Sequence, residues 1–171
     1  GGNLLIVGPT AASHFTSELG VSLGTAQQEP RYLAFEDRLY VTRDVTQTPV
    51  LGPKARPYGG LHVADDLGSA SQPAASVASL GQGKIAATYF SFSRGYLATR
   101  SPEARAFLND LVGQLFPEPL VDVKGSSCVD VSVSRLDGTL VIPLVNTSGD
   151  HRDRDQPLFA SVDPVRPLVV A

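Results

Sequence analysis

Aromatic residues and one arginine cluster between positions 89 and 96, where the residue types are suited to binding. Tyr89, Phe92 and Tyr96 can stack against a sugar ring or an apolar partner, and Arg94 can hold a polar group. The cluster follows a predicted core strand, and ligands bind at strand ends in open α/β sheets. Two interpretations stay open: these four residues contact a carbohydrate or a neighbouring domain, or the segment is a strand end that packs on the next helix.

Nucleophilic catalysis requires a Ser or Cys held beside a base, usually His. The chain has one cysteine, Cys128, and three histidines, His14, His62 and His151. Cys128 lies at the start of a predicted strand, not on a strand-to-helix turn, so a buried structural cysteine is the favoured interpretation. His14 is predicted to be a partly buried packing residue and His151 an exposed one. No catalytic residue is therefore assigned.

Other ligand-type residues lack the spacing that would define a site. Residues 62–66, His-Val-Ala-Asp-Asp, include metal-ligating types but no metal-binding motif, which favours a solvated acidic loop. A glycosidase needs two carboxylates that face the scissile bond, and no sequence feature pairs any two here. The sequence predicts neither a metal site nor a cofactor.

Composition excludes several classes of partner. The 171 residues include 17 acidic and 14 basic side chains, a net charge of -3, which gives no electrostatic footprint for nucleic acid or an anionic membrane. Every apolar run is far shorter than the roughly 20 residues that span a bilayer, so a soluble protein is expected. The chain lacks Met even at position 1, and we expect it to be cut from something longer. The compartment stays open, with the bacterial cytoplasm as the expectation.

The first part of the chain predicts a strand-turn-helix unit that is followed by further strands. Residues 4–7 form a short apolar run typical of a strand buried on both faces, and a helix from Pro9 is expected to end at Gly20. Alternation over 32–50 predicts strands with one wet face. Residues 51–73 predict loops, with at most a short strand near 61–63, and residues 75–90 predict a hairpin.

A second helix and a change of periodicity follow. Ser101 is a suitable N-cap for a helix over 101–116, whose apolar residues recur at helical spacing. After Pro119 the apolar period becomes two, and the Asp137-Gly138 pair predicts a hairpin turn. Residues 168–170 predict a final strand, and 150–156 a solvated loop.

These patterns predict an α/β fold with a partly parallel sheet and flanking helices, followed by a small antiparallel all-β segment. The predicted domains are 1–117, an α/β domain that lacks part of its N-terminal region in one interpretation, and 118–171, a β-rich segment.

An ordered series of segments resembles a known family. The segments are Gly1–Gly8, Gly83–Phe90, the 101–116 helix, Phe116–Val123, Val129–Gly138 and Leu144–Gly149. Together they resemble the region behind the catalytic barrel in bacterial glycoside hydrolases, which is similar to the trimerisation domain of β-galactosidases and is followed by a β domain. The resemblance implies an amidotransferase-like, flavodoxin-like fold, from which residues 25–75 depart.

The resemblance implies an accessory or oligomerisation module without catalytic residues of its own. Its implied partners are the missing catalytic barrel of the parent chain, which at about 250 residues cannot fit here, and a second copy of the module. A carbohydrate-binding module is the alternative, with exposed Tyr58, Tyr89, Phe92 and Tyr96 as the platform. An amidotransferase-like hydrolase is a third, and it would require an activated Cys128.

Overall fold

The computed structural model describes residues 2–25, 31–42, 45–99, 101–126, 128–148 and 164–171. The chain forms two compact units, Gly1–Glu118 and Pro119–Ala171. This division describes compactness alone, so the assignment of 1–117 and 118–171 to two domains stays a prediction. His151 and the loop predicted for 150–156 lie outside the described residues.

Strands dominate the first unit. They are β1 (Leu4–Ile6), β2 (Val21–Leu23), β3 (Arg31–Phe35), β4 (Arg38–Thr42), β5 (Pro49–Leu51), β6 (Ala55–His62), β7 (Ser71–Leu80) and β8 (Gly83–Thr88). Six of them form one sheet in the order β1-β8-β7-β6-β3-β4, while β2 and β5 pair separately and antiparallel. Only β1 and β8 run parallel within the described part of this sheet. The sheet is therefore mixed, in agreement with the predicted partly parallel sheet, whereas its flavodoxin-like arrangement stays a prediction.

Short helices connect β1 to β2, as the Pro and Gly signals predict. They are α1 (Pro9–Ala12), a 3-10 turn (Ser13–Phe15) and α2 (Thr16–Leu19). Pro9 occupies the first turn of α1, and Gly20 ends α2 with a φ of 68°, a left-handed conformation that favours glycine. The single predicted helix is thus divided by a tighter turn.

Two further helices, α3 (Phe92–Thr99) and α4 (Pro102–Leu115), follow β8. The Ser101 hydroxyl accepts a hydrogen bond from the Ala104 N–H at 3.2 Å, so the predicted N-cap is confirmed. The same hydroxyl donates to Glu103 Oε2 at 2.7 Å and holds the pKa of Glu103 below its usual value. The sequence did not predict α3.

Helices cover both faces of the sheet at strand β8. Ile85 and Ala87 of β8 face a cluster that includes Ala12 and Leu19 from α1 and α2. Ala86, one residue away, faces the opposite cluster, which contains Phe107 and other residues of α4. Alternation along the strand therefore places successive side chains in different cores.

Two strands differ from their predictions. Ile6 of β1 belongs to one buried cluster and Leu5 packs against the other, so the predicted burial on both faces fails only at Leu4, which is 39% exposed. Residues 55–62 form the eight-residue strand β6 inside the segment predicted as loop. Pro57 is tolerated in β6 because the pairing with β3 covers only 60–62, so one side of Pro57 has no neighbouring strand among the described residues.

The second unit consists of short antiparallel pairs. Its strands are β9 (Val123–Lys124), β10 (Val129–Val131), β11 (Ser134–Leu136), β12 (Thr139–Val141), β13 (Leu144–Asn146) and β14 (Val169–Val170). β10 pairs with β13, β11 with β12 and β14 with β9. Asp137 and Gly138 have φ values of 48° and 84°, so the predicted Asp-Gly hairpin turn is confirmed. The final strand is also confirmed.

In the described residues, no helix is both long enough and apolar enough to cross a membrane.

Candidate functional site

The chain leaves the sheet at the end of β8 and turns at once into α3. Phe90 forms an isolated bridge with Thr46, and the Ser91 N–H donates to the Val45 carbonyl at 3.1 Å. The Gly95 N–H then donates to the Ser91 carbonyl at 3.2 Å, which begins the helix. Phe92 lines two cavities.

Tyr89 is a core residue. Its side chain is 0% exposed, and its hydroxyl lies 2.5 Å from the Ser76 hydroxyl. Burial raises the pKa of the Tyr89 phenol, and the hydrogen bond with Ser76 opposes that effect. A fully buried ring offers no surface to a sugar or a partner, so the candidate site does not include Tyr89.

The first cavity, which we call the aromatic pocket, lies between β3, β4, α3 and α4. Leu33, Tyr40, Phe92 and Tyr96 are among its lining residues. The Phe92 and Tyr96 rings stack with centroids 5.9 Å apart and planes 9° apart. The cavity volume is about 30 Å³, which is room for about one water molecule. A sugar ring does not fit inside it, although Tyr96 is only half-buried.

The second cavity, which we call the polar cleft, has a volume of about 440 Å³. It lies where the parallel strands β1 and β8 end, between residues 7–14 and residues 91–94. Thr10, His14, Ser93 and Arg94 line it and are exposed. His14 therefore opens onto a cleft, and the prediction that it packs partly buried was wrong.

One buried hydroxyl joins the two walls of the polar cleft. Thr88 Oγ1 accepts a hydrogen bond from the Gly8 N–H at 2.8 Å and lies 3.5 Å from the Phe90 carbonyl, to which it donates. Thr88 is 0% exposed. Gly8 belongs to the loop after β1 and Phe90 to the loop after β8, so Thr88 fixes their separation.

Tyr58 does not lie on a free aromatic platform. It is half-buried, its ring centroid is 5.4 Å from that of Phe107, and its hydroxyl is hydrogen-bonded to the Asp110 carboxylate. Burial, followed by that hydrogen bond and the negative charge of Asp110, raises the pKa of Tyr58 well above its usual value. Of the four aromatic residues proposed as a platform, the structure brings only Phe92 and Tyr96 into one stacked pair.

The remaining candidate residues lie apart from these cavities. Cys128 is exposed in the second unit, which corrects the expected burial, and its cleft is lined by Ser126 and Arg166, without a histidine among the described residues. His62 is 8% exposed at the end of β6, not in a loop, although Asp65 and Asp66 are exposed as predicted. No group of three metal-ligating side chains occurs within the described ranges.

The sequence reasoning missed the polar cleft because it missed α3. A signal was present: Ser91 is a residue type that favours helix starts, and Phe92 and Tyr96 have the i, i+4 spacing of one helix face. The aromatic residues after β8 instead suggested a continuing strand.

Comparison with known proteins finds similarity in structure only. No family model matches the sequence, and no curated protein sequence matches it. Two structures of Gan42B, a GH42 β-galactosidase from G. stearothermophilus, one of them a catalytic mutant, match with a TM-score of 0.57 and 16% identity. The match covers 86% of this chain. The chain shares its fold with part of that β-galactosidase.

The coverage of the other protein is much smaller. The chain spans only 22% of the β-galactosidase chain. The exo-β-1,4-mannosidase Op5Man5 from Opitutaceae bacterium strain TAV5 gives a lower TM-score, 0.48, over 67% of this chain and 21% of its own. The resemblance to part of a β-galactosidase is thus confirmed at the level of fold, whereas the amidotransferase-like relationship stays a prediction.

Proposed function

We propose that this chain is a non-catalytic accessory module of a larger glycoside hydrolase. The observation that carries the proposal is the unequal coverage: 86% of this chain matches 22% of a GH42 β-galactosidase. A module that corresponds to about a fifth of such an enzyme leaves the paired catalytic carboxylates to another part of the parent protein. The aromatic pocket and the polar cleft, which are lined by apolar, hydroxyl, aromatic and basic side chains, fit this assignment.

Exposed apolar side chains in the second unit support a docking role. Val141 pairs with Ser134, and Leu136 lies two residues from Ser134 on the same strand, so Leu136 and Val141 share one face of the β11–β12 hairpin. They are 66% and 38% exposed, and Val145 of β13 is 54% exposed. Burial of such side chains against a neighbour provides about 25 cal/mol per Å² of apolar surface. The proposed neighbour is the catalytic domain of the parent protein, and a second copy of the chain is the other candidate.

Light scattering over a range of concentrations tests association directly. If the second copy is the neighbour, the chain has a dimeric or trimeric mass, and Leu136→Ser shifts it toward the monomer. Leu97→Ser is the matched control, because Leu97 is equally apolar and 72% exposed but belongs to the first unit. A monomer at every concentration excludes self-assembly and leaves the catalytic domain as the neighbour.

Hydrolysis assays test the non-catalytic part of the proposal. The 171-residue chain is expected to release no nitrophenol from aryl β-galactosides or aryl β-mannosides above the rate in buffer. Turnover that copurifies with the chain and disappears on replacement of one of its carboxylates would contradict the proposal.

The stacked Phe92–Tyr96 pair supports one alternative, a carbohydrate-binding module. That function predicts saturable binding of a galactoside or mannoside oligosaccharide, which Tyr96→Ala would abolish. The aromatic pocket is too small for a sugar ring, so such a ligand would have to stack on the exposed part of Tyr96. Calorimetric titration that shows no binding would remove this alternative and leave the accessory module.

A further inference from the structure

The polar cleft has the dimensions and the chemistry of a small-molecule site. Its volume of about 440 Å³ lies within the range of ligand pockets, about 300–1,000 Å³. We propose that it binds the oxyanion group, a carboxylate or a phosphate, of a molecule of about monosaccharide size. The inference stands independently of the proposed accessory function, because it rests on the lining of the cleft alone.

The lining favours an anion over a cation. Arg94 carries a planar guanidinium whose N–H groups match the two oxygens of a carboxylate or phosphate. His14 adds an imidazole on the opposite wall, and the Thr10 and Ser93 hydroxyls add further hydrogen-bond donors. Among the described residues, none that lines the cleft is Asp or Glu.

The backbone at Gly8 leaves room for close approach. Gly8 has a φ of 99°, and a Cβ added there would meet no atom within 4 Å. Gly8 is one of the residues that line the polar cleft. A side chain at this position would strain the backbone, because the φ of 99° is one that L residues rarely adopt.

The walls of the cleft are held in place before any ligand arrives. Thr88 bonds to Gly8 on one side and Phe90 on the other, and the Ser91 N–H is bonded to the Val45 carbonyl. A site that is already ordered loses little conformational entropy on binding.

Titration with three probes tests the site and distinguishes the two sources of an oxyanion. Inorganic phosphate represents a phosphate group, glucuronate represents a sugar carboxylate, and galactose is a neutral molecule of similar size. We expect saturable binding of phosphate or glucuronate, with amide chemical-shift changes at Gly8, Ala11 and Ser93. Binding of phosphate alone or glucuronate alone supports the site and identifies the source.

Charge-removing variants then locate the interaction. Arg94→Gln is expected to weaken binding of the anion by about tenfold or more, the usual value of hydrogen bonds to a charged group. Arg56→Gln is the matched control, because Arg56 is also exposed and lies on β6, outside the lining of the cleft. Its Kd should equal that of the unmodified chain. Thermal melting of both variants checks that the fold is retained.

Three results would overturn the inference. The first is that neither phosphate nor glucuronate binds, and the second is that galactose binds as tightly as glucuronate. The third is that Arg94→Gln and Arg56→Gln weaken binding equally, which would indicate attraction by surface charge in general. None of these results bears on the accessory function, whose tests are solution mass and hydrolysis.

Discussion

Replacement of Gly59 by alanine should destabilise the first unit through one defined collision. Gly59 lies in β6 with a φ of 59°, and a Cβ added there would be 2.6 Å from Phe107 Cε2. Phe107 is 0% exposed and contacts the rings of Phe35, Tyr58 and Phe90, so its ring has little freedom to move away. The close packing of α4 on the sheet thus depends on the absence of a side chain at Gly59.

Two effects contribute to the magnitude. A non-glycine residue in the left-handed region costs about 1–2 kcal/mol. Overpacking against a fixed ring costs about 1–3 kcal/mol more. Together these effects should lower the free energy of unfolding of Gly59→Ala by about 2–5 kcal/mol. The alanine also reduces the conformational entropy of the unfolded chain, which offsets about 0.4–1 kcal/mol of that loss.

Gly81→Ala provides the matched control. Gly81 has a φ of 58°, almost that of Gly59, but a Cβ added there would meet no atom within 4 Å. The backbone and unfolded-state effects are therefore nearly equal in the two variants. The difference between them isolates the collision with Phe107, about 1–3 kcal/mol.

Urea denaturation followed by tyrosine fluorescence measures both variants. The chain has five tyrosines and no tryptophan, and all five tyrosines precede residue 118, so the signal reports the first unit. In a Phe107→Leu background, Gly59→Ala should cost no more than Gly81→Ala. Equal losses for the two glycine variants in the unmodified chain would refute the reasoning.

Two further predictions concern α4 and its contact with the sheet. Ser101→Ala should lower the free energy of unfolding by about 0.5–2 kcal/mol, because it removes the N-cap of α4. Ser17→Ala, at an exposed position, is the control and should change that free energy little. Equal effects of the two variants in urea denaturation would contradict the role of Ser101 as the cap. The folded-state pKa of Tyr58 is raised above its ordinary value of 10.0, so the folded state holds this proton more tightly and stability should fall as pH rises above 10. Tyr58→Phe, which removes the bond to Asp110 together with the proton, should reduce that alkaline loss in pH-dependent denaturation; an unchanged loss would assign it to other groups.

The local sequence determined the turns and helix ends. Gly20 ends α2, Ser101 caps α4, and the Asp137-Gly138 pair forms the turn between β11 and β12. Each of these structures depends on the φ preference or hydrogen-bonding capacity of one or two residues, which nearby sequence contains in full. These features could be predicted without knowledge of any distant contact.

Tertiary structure alone decided β6 and the polar cleft. Residues 55–62 include Pro57, Gly59 and Gly60, which disfavour strands. The segment nevertheless forms strand β6, because β7 and part of β3 supply its hydrogen-bond partners. The cleft unites residues 7–14 with residues 91–94, about 80 positions apart, through the parallel pairing of β1 with β8 and the Thr88 hydroxyl. No local pattern encodes such a pairing, because its stability comes from contacts that exist only once the chain has folded.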